Sequence, residues 1–82
     1  MRRPIIHELK ILPQYFDEVR SHDKQFELRK DDRDYKVGDF ILLKEWKDGS
    51  YTGREVGCFK ISYILRNCQE YGLTDGYCIL GW

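Results

Sequence analysis

The sequence predicts a fold that is mostly β with one or two helices, of the α+β class: a small antiparallel β-barrel that the helix plugs or flanks. Three observations carry this. Apolar and polar residues alternate in several separate stretches, one early stretch switches to helical spacing, and the breaks between stretches are short and rich in Asp and Gly. Strands joined by short turns favour an antiparallel sheet that curls on itself, because closure removes unpaired edges. The 82 residues make one domain, 1–82, enough for a single core and too few for a separate catalytic domain.

Each element follows from its pattern. Ile5, His7, Leu9 and Ile11 share one face of an extended segment, with Glu8 and Lys10 on the other, so 5–11 is the first strand. Leu12, Tyr15, Phe16 and Val19 then recur at helical spacing behind Pro13, a residue suited to a first turn, and predict a short helix ending near Ser21. Residues 26–29 return to period two, with Phe26 and Leu28 on one face and the polar Glu27 and Arg29 on the other. The run from Lys30 to Asp39 has the composition of a turn: Asp caps its own backbone and Gly permits positive φ. Residues 40–46 form the third strand, and Asp48-Gly49 marks a hairpin connection. Alternation of Phe59, Ile61, Tyr63 and Leu65 predicts one long fourth strand over 55–65; 66–76 is a loop and 77–82 the last strand.

Composition narrows the function classes. Hydrophobic residues at 41% and aromatics at 15% describe a folding chain and not a disordered tail. Lys plus Arg and Asp plus Glu both number 14, so a nucleic-acid site has to be a local patch and not a general basic field. Arg2 and Arg3 precede Pro4 and two isoleucines, without the long apolar region of a signal peptide, and no stretch reaches membrane-spanning length. The expectation is a cytoplasmic chain without a membrane partner. Cys58, Cys68 and Cys78 are an odd number with no C-x-x-C pair, which favours free thiols in a reducing compartment. Their even spacing invites a metal reading with His7 or His22, but small buried hydrophobes explain them better, so neither metal nor other cofactor is assigned.

The sharpest constellation is Lys24-x-x-Glu27-x-Arg29, which starts where the helix ends and runs into a strand. Glu27 and Arg29 project from one strand face, roughly 7 Å apart along the chain. Arg brings planar paired donors for a phosphate or base edge, Lys a mobile charge, and Glu an acceptor for an amino group. The spacing by itself also fits a solvated surface ion pair along an exposed strand. Arg33, set between carboxylates, is the one member of the turn run retained as a candidate, and Lys10 joins the cleft candidates. Trp46 and Tyr51 beside the D-G turn are candidates for stacking single-stranded bases, or else aromatic caps on the core. Thr52 and Arg54 are polar but unspecific. His7 reads as a buried neutral histidine with one hydrogen bond rather than a general base. G-x-S-x-G, P-loop and H-E-x-x-H motifs are absent.

At Lys24-x-x-Glu27-x-Arg29 the chain resembles the ASCH (activating signal cointegrator homology) families of the PUA-like superfamily, whose signature is G-x-K-x-x-E-x-R after an early helix. The stretches HELKILPQYFDEV, FELRKDDRDYKVGD, YTGRE and GYCIL extend the likeness to a small bacterial and phage branch of that superfamily, over nearly the whole chain. The resemblance implies a PUA-like barrel with a helix beside a cleft, and a role in binding RNA or a nucleotide or nucleoside ligand through Lys24, Glu27 and Arg29. His22 stands at the motif's glycine, where a side chain disfavours positive φ. Some ASCH relatives are amidohydrolases of N-acetylated cytidine that use a Lys and, three residues later, a Thr nucleophile. Glu27 replaces that Thr here, and a carboxylate acyl acceptor would change the reaction. Three functions stand in order: an RNA- or nucleotide-binding module; a small amidohydrolase with Lys24 and Glu27 as the catalytic pair; and a protein-interaction or phage accessory domain.

Overall fold

The computed structural model describes residues 2–82; Met1, where the expected domain begins, lies outside them. The chain order is β1 (Ile6–Ile11), α1 (Pro13–Arg20), β2 (Phe26–Lys30), β3 (Phe40–Lys47), β4 (Ser50–Lys60), β5 (Tyr63–Leu65) and β6 (Tyr77–Gly81), with a 3-10 turn at Gln69–Tyr71. The protein is mostly β with one α-helix, the α+β class.

The strands pair as two three-stranded sheets, β1-β3-β4 and β2-β6-β5, which are not closed into a barrel. Nor is the pairing wholly antiparallel: β1 runs parallel to β3. Parallel neighbours need a crossover connection, and α1 with β2 supplies it. The hairpin register that the D-G pair left open is Lys47 opposite Ser50, with Asp48 at φ 50° and Gly49 at φ 85°. Two positive φ values are the twist-matched geometry of a two-residue hairpin loop.

The expected single strand over 55–65 is two strands in different sheets. Beyond Lys60 the Ile61 N–H donates to Asp39 O at 2.8 Å and Ile61 O accepts from Gly38 N–H at 2.9 Å. The Ser62 N–H then donates to Gly81 O at 2.8 Å, delivering the chain to β6. Buried Ile61 is the pivot. Alternation carries no mark of this exchange, because both sheets share the same period of two.

Leu9, Ile11, Ile41, Leu43, Ile61, Tyr35, Cys78 and Leu80 form the core, closed by Phe16 and Val19 of α1. Leu12 and Tyr15, the other members of the helical stripe, stay exposed. The 30–39 run is a loop, as its composition predicts, but two of its members are core. Tyr35 is buried against His7, ring centroids 4.7 Å apart, and Asp39 is buried beneath the loop. The Asp39 carboxylate accepts from Arg2 Nη1 and Nη2 (2.9 and 2.8 Å), His7 Nε2 (2.8 Å), Ile5 N (3.2 Å) and Lys36 N (3.1 Å). His7 is therefore buried with one partner, its Nε2 proton directed at a carboxylate.

Candidate functional site

A cleft of about 400 Å³ opens where three segments meet: the end of β1 (Lys10, Ile11), the start of α1 (Leu12, Tyr15) and the Lys24 turn running into β2. The helical stripe is thus divided. Phe16 and Val19 seal the core while Leu12 and Tyr15 become cleft wall, an arrangement the spacing alone does not separate.

The turn after α1 aims Lys24. The Lys24 N–H donates to Glu18 O at 3.0 Å and the His22 N–H to Val19 O at 3.0 Å. His22 takes φ 68°, so the position adopts the left-handed conformation that its side chain was expected to disfavour. Lys24 Nζ donates to Phe26 O at 2.6 Å and to the Glu27 carboxylate. Arg29 Nη1 lies 3.6 Å from Glu27 Oε2 and donates to Lys10 O at 2.9 Å.

Glu27 is only 5% exposed. The polar face of β2 therefore points inward, and the solvated ion pair along an exposed strand is not what forms. Phe26 and Leu28 take the outward positions, 46% and 56% exposed. The inversion follows from partners. A carboxylate can be buried when two cations neutralise it, and Lys24 and Arg29 bracket Glu27. Two cations against one carboxylate, with Lys10 on the rim, leave the cleft an excess of positive charge amid apolar walls.

Of the predicted residues, Lys10, Lys24, Glu27 and Arg29 come together here. Arg33 does not: it donates to Glu8 O at 2.9 Å and lines a second cleft of about 200 Å³ with Asp32 and Tyr35, which Arg29 also borders. Trp46 and Tyr51 lie outside the cleft, edge to face at 5.0 Å, and they do not cap the core, since Tyr51 is exposed and Trp46 half-buried. Lys10 Nζ rests 3.8 Å above the Trp46 ring and joins this pair to the cleft. Lys44 Nζ lies 5.1 Å from the Tyr51 ring. Glu8, which Lys44 Nζ meets at 3.2 Å, raises the pKa of that ammonium.

Sequence reasoning missed Asp39 and Glu45. Both were legible as charges in core register, Glu45 continuing the inward set Ile41 and Leu43. Buried Glu45 accepts from Thr52 Oγ1 at 2.7 Å, and Arg54 Nη1 stands 3.5 Å from its other oxygen. Arg54 also holds Asp17 at 2.9 Å and covers the Phe16 ring at 4.3 Å. Arg54 therefore ties the hairpin to α1, while Thr52 links the two strands of the hairpin. Burial pushes up the Tyr35 hydroxyl and the Cys78 thiol. Cys58 is exposed, Cys68 half-buried and Cys78 buried, all with free thiols. Among the described residues no three His, Cys, Asp or Glu side chains gather as metal ligands. No helix among them is long and apolar enough to cross a membrane.

Fold and site together define a small α+β domain whose two sheets and helix frame a cation-rimmed cleft over a buried carboxylate. Residues 6–82 match the family described as a domain of unknown function (DUF3850), and the chain belongs to that family. It is similar to an uncharacterized 12.9 kDa protein in the GpA 3' region of Escherichia phage P2, 49% identical over 51 residues. That alignment covers 62% of this chain and 47% of the phage protein, so the match spans about half of the relative's length.

Proposed function

We propose that the cleft binds a nucleotide, or a nucleotide-sized segment of single-stranded RNA, without catalysis. One observation carries this reading: buried Glu27 at the cleft floor, bracketed by Lys24 and Arg29 and walled by Leu12, Tyr15 and Phe26. The volume suits a small ligand. Apolar walls take a base, Glu27 accepts from an exocyclic amino group, and Lys10 and Arg29 take phosphate. Trp46 and Tyr51 offer stacking to a flanking base. Base stacking on an aromatic side chain is worth about 1–3 kcal/mol, against about 0.5–1 kcal/mol for an exposed cation–π contact. Lys10 and Lys44 can therefore leave the rings for phosphate at net gain. We read the scaffold as ASCH-type and PUA-like, acting in the cytoplasm.

Titration of single-stranded RNA and mononucleotides at low salt tests this reading. Binding that is lost in the Lys24→Ala/Arg29→Ala double variant is expected; no binding, or unchanged affinity in that variant, overturns it. A second reading, deacylation of an acylated cytidine-type nucleoside with Lys24 polarising the carbonyl and Glu27 as general base, rests on the direct Lys24–Glu27 contact. Turnover of acylated cytidines above buffer, abolished in Glu27→Ala, would establish it in place of the first.

A further inference from the structure

We propose that the two clefts form one trough for an internal nucleotide of a single strand, phosphorylated on both sides of its sugar, whose second phosphate is held by Arg33 and Lys30. This rests on the nucleotide reading of the first cleft and names the ligand class that cleft serves. Leu28 and Arg29 border both clefts, so the trough is continuous along β2. Lys10 and Arg29 supply the first phosphate position. The second cleft, about 200 Å³, falls below the size of a pocket for a whole ligand and suits a single group such as phosphate.

The edge of β1 sets the spacing. β1 is an outer strand of its sheet, so one side of it is free to accept from side chains. Arg29 Nη1 donates to Lys10 O and Arg33 Nη1 to Glu8 O, each at 2.9 Å. Glu8 and Lys10 are alternate strand residues, so these two carbonyls face the same way about 7 Å apart, and the guanidiniums are pinned side by side at a comparable distance. Each is held through Nη1, which leaves further N–H groups of each fork for phosphate. Two phosphates on either side of one sugar stand similarly far apart, whereas those of a nucleoside diphosphate share a bridging oxygen and lie closer. The spacing therefore selects a strand over a diphosphate.

Charge makes the second cleft a seat for an anion. The carboxylates that flank Arg33 in sequence take other partners: Asp31 pairs with Arg66 at 2.8 Å and Asp34 with Lys36 at 3.2 Å. Among the described residues neither Arg33 nor Lys30 has a carboxylate within ion-pair distance. Asp32 is the carboxylate on this rim, against Arg29, Lys30 and Arg33. Buried Tyr35 lines the wall. Burial raises the pKa of its hydroxyl while Arg29 and Arg33 pull the other way, so both guanidiniums stand close to it. A phenol that stays neutral near pH 7 is one more donor for a phosphate oxygen.

Titrating the 5′-monophosphates, 5′-diphosphates and 3′,5′-bisphosphates of the four ribonucleosides at low salt tests this. The bisphosphate is expected to bind about tenfold or more tighter than either of the others. Diphosphate and bisphosphate carry the same number of phosphates, so their placement decides the difference. In Arg33→Ala the ratio of bisphosphate to monophosphate affinity should fall toward one, and in Lys30→Ala it should fall part of the way. Lys60→Ala, outside both clefts, should leave it unchanged. Partial unfolding lowers both affinities alike, so the ratio isolates the contact. Monophosphate binding without a bisphosphate advantage, or an advantage that survives Arg33→Ala, overturns this inference and leaves the reading of the first cleft standing. Inorganic phosphate that shifts the Arg33 Nε–H resonance at the same concentration as the bisphosphate marks a site for free phosphate and also overturns it. No binding of any of these nucleotides or of single-stranded RNA overturns both.

Discussion

Asp39 shows how much one side chain can organise in a small domain. Its carboxylate is held well below the usual carboxylate range, first by Arg2 and then by His7 and the backbone amides of Ile5 and Lys36, against the opposing cost of burial. The folded-state value lies below the unfolded one, so the stabilisation is complete above about pH 4 and is lost as pH falls toward the folded value. Asp39→Ala leaves buried His7 without its acceptor and should cost about 1–3 kcal/mol near neutral pH. Urea unfolding across a pH series should show the gap between wild type and variant narrowing below about pH 4. Glu45 is a second buried carboxylate, held more sparsely. Thr52→Val removes its hydroxyl donor and should cost about 1–3 kcal/mol in the same measurement.

Among the elements, β4 has the tightest backbone tolerance. Gly57 lies opposite Leu42 next to a register shift, with φ 132°, and a Cβ there would stand 2.5 Å from Ile41 O. Gly53 on the same strand, at φ 94°, has open space around it. Gly57→Ala should therefore lower the thermal midpoint distinctly more than Gly53→Ala, which meets only the strain of a left-handed conformation, about 1–2 kcal/mol. The helix makes the complementary case. Phe16→Ala empties a core site and should cost about 3–5 kcal/mol in urea unfolding. Tyr15→Ala, on a cleft wall, should cost much less and be felt in ligand titration instead.

For the whole molecule the charge balance is decisive. With 14 basic and 14 acidic residues there is no global field to draw in a polyanion, so the RNA binding proposed above would have to come from the few cations gathered around the cleft. The logarithmic salt slope for single strands is about −0.7 per phosphate contact, so contacts from Lys10, Arg29 and Lys44 predict a slope of roughly −2. Lys24→Ala/Arg29→Ala, which removes one of these contacts, should flatten it by about 0.7 where binding stays measurable. Binding insensitive to salt would remove the phosphate contacts from this picture.

The sequence by itself determined the local order of the chain. Period-two and period-3.6 patterns located the helix and most of the strands, because side-chain direction repeats with the backbone. The turn residues Asp48 and Gly49 marked the hairpin, and the spacing of Lys24, Glu27 and Arg29 brought out a charged group that does converge in space. Only the tertiary structure decided what lies across the chain: the parallel pairing of β1 with β3, the exchange of sheets at Ile61, and two sheets where a closed barrel was expected. It also decided which face of β2 is inside. Alternation distinguishes two faces but does not orient them, and here Lys24 and Arg29 neutralise Glu27 within the fold while Phe26 and Leu28 remain outside. Neutralising a buried charge depends on where its partners stand in space, and their order along the chain leaves that open.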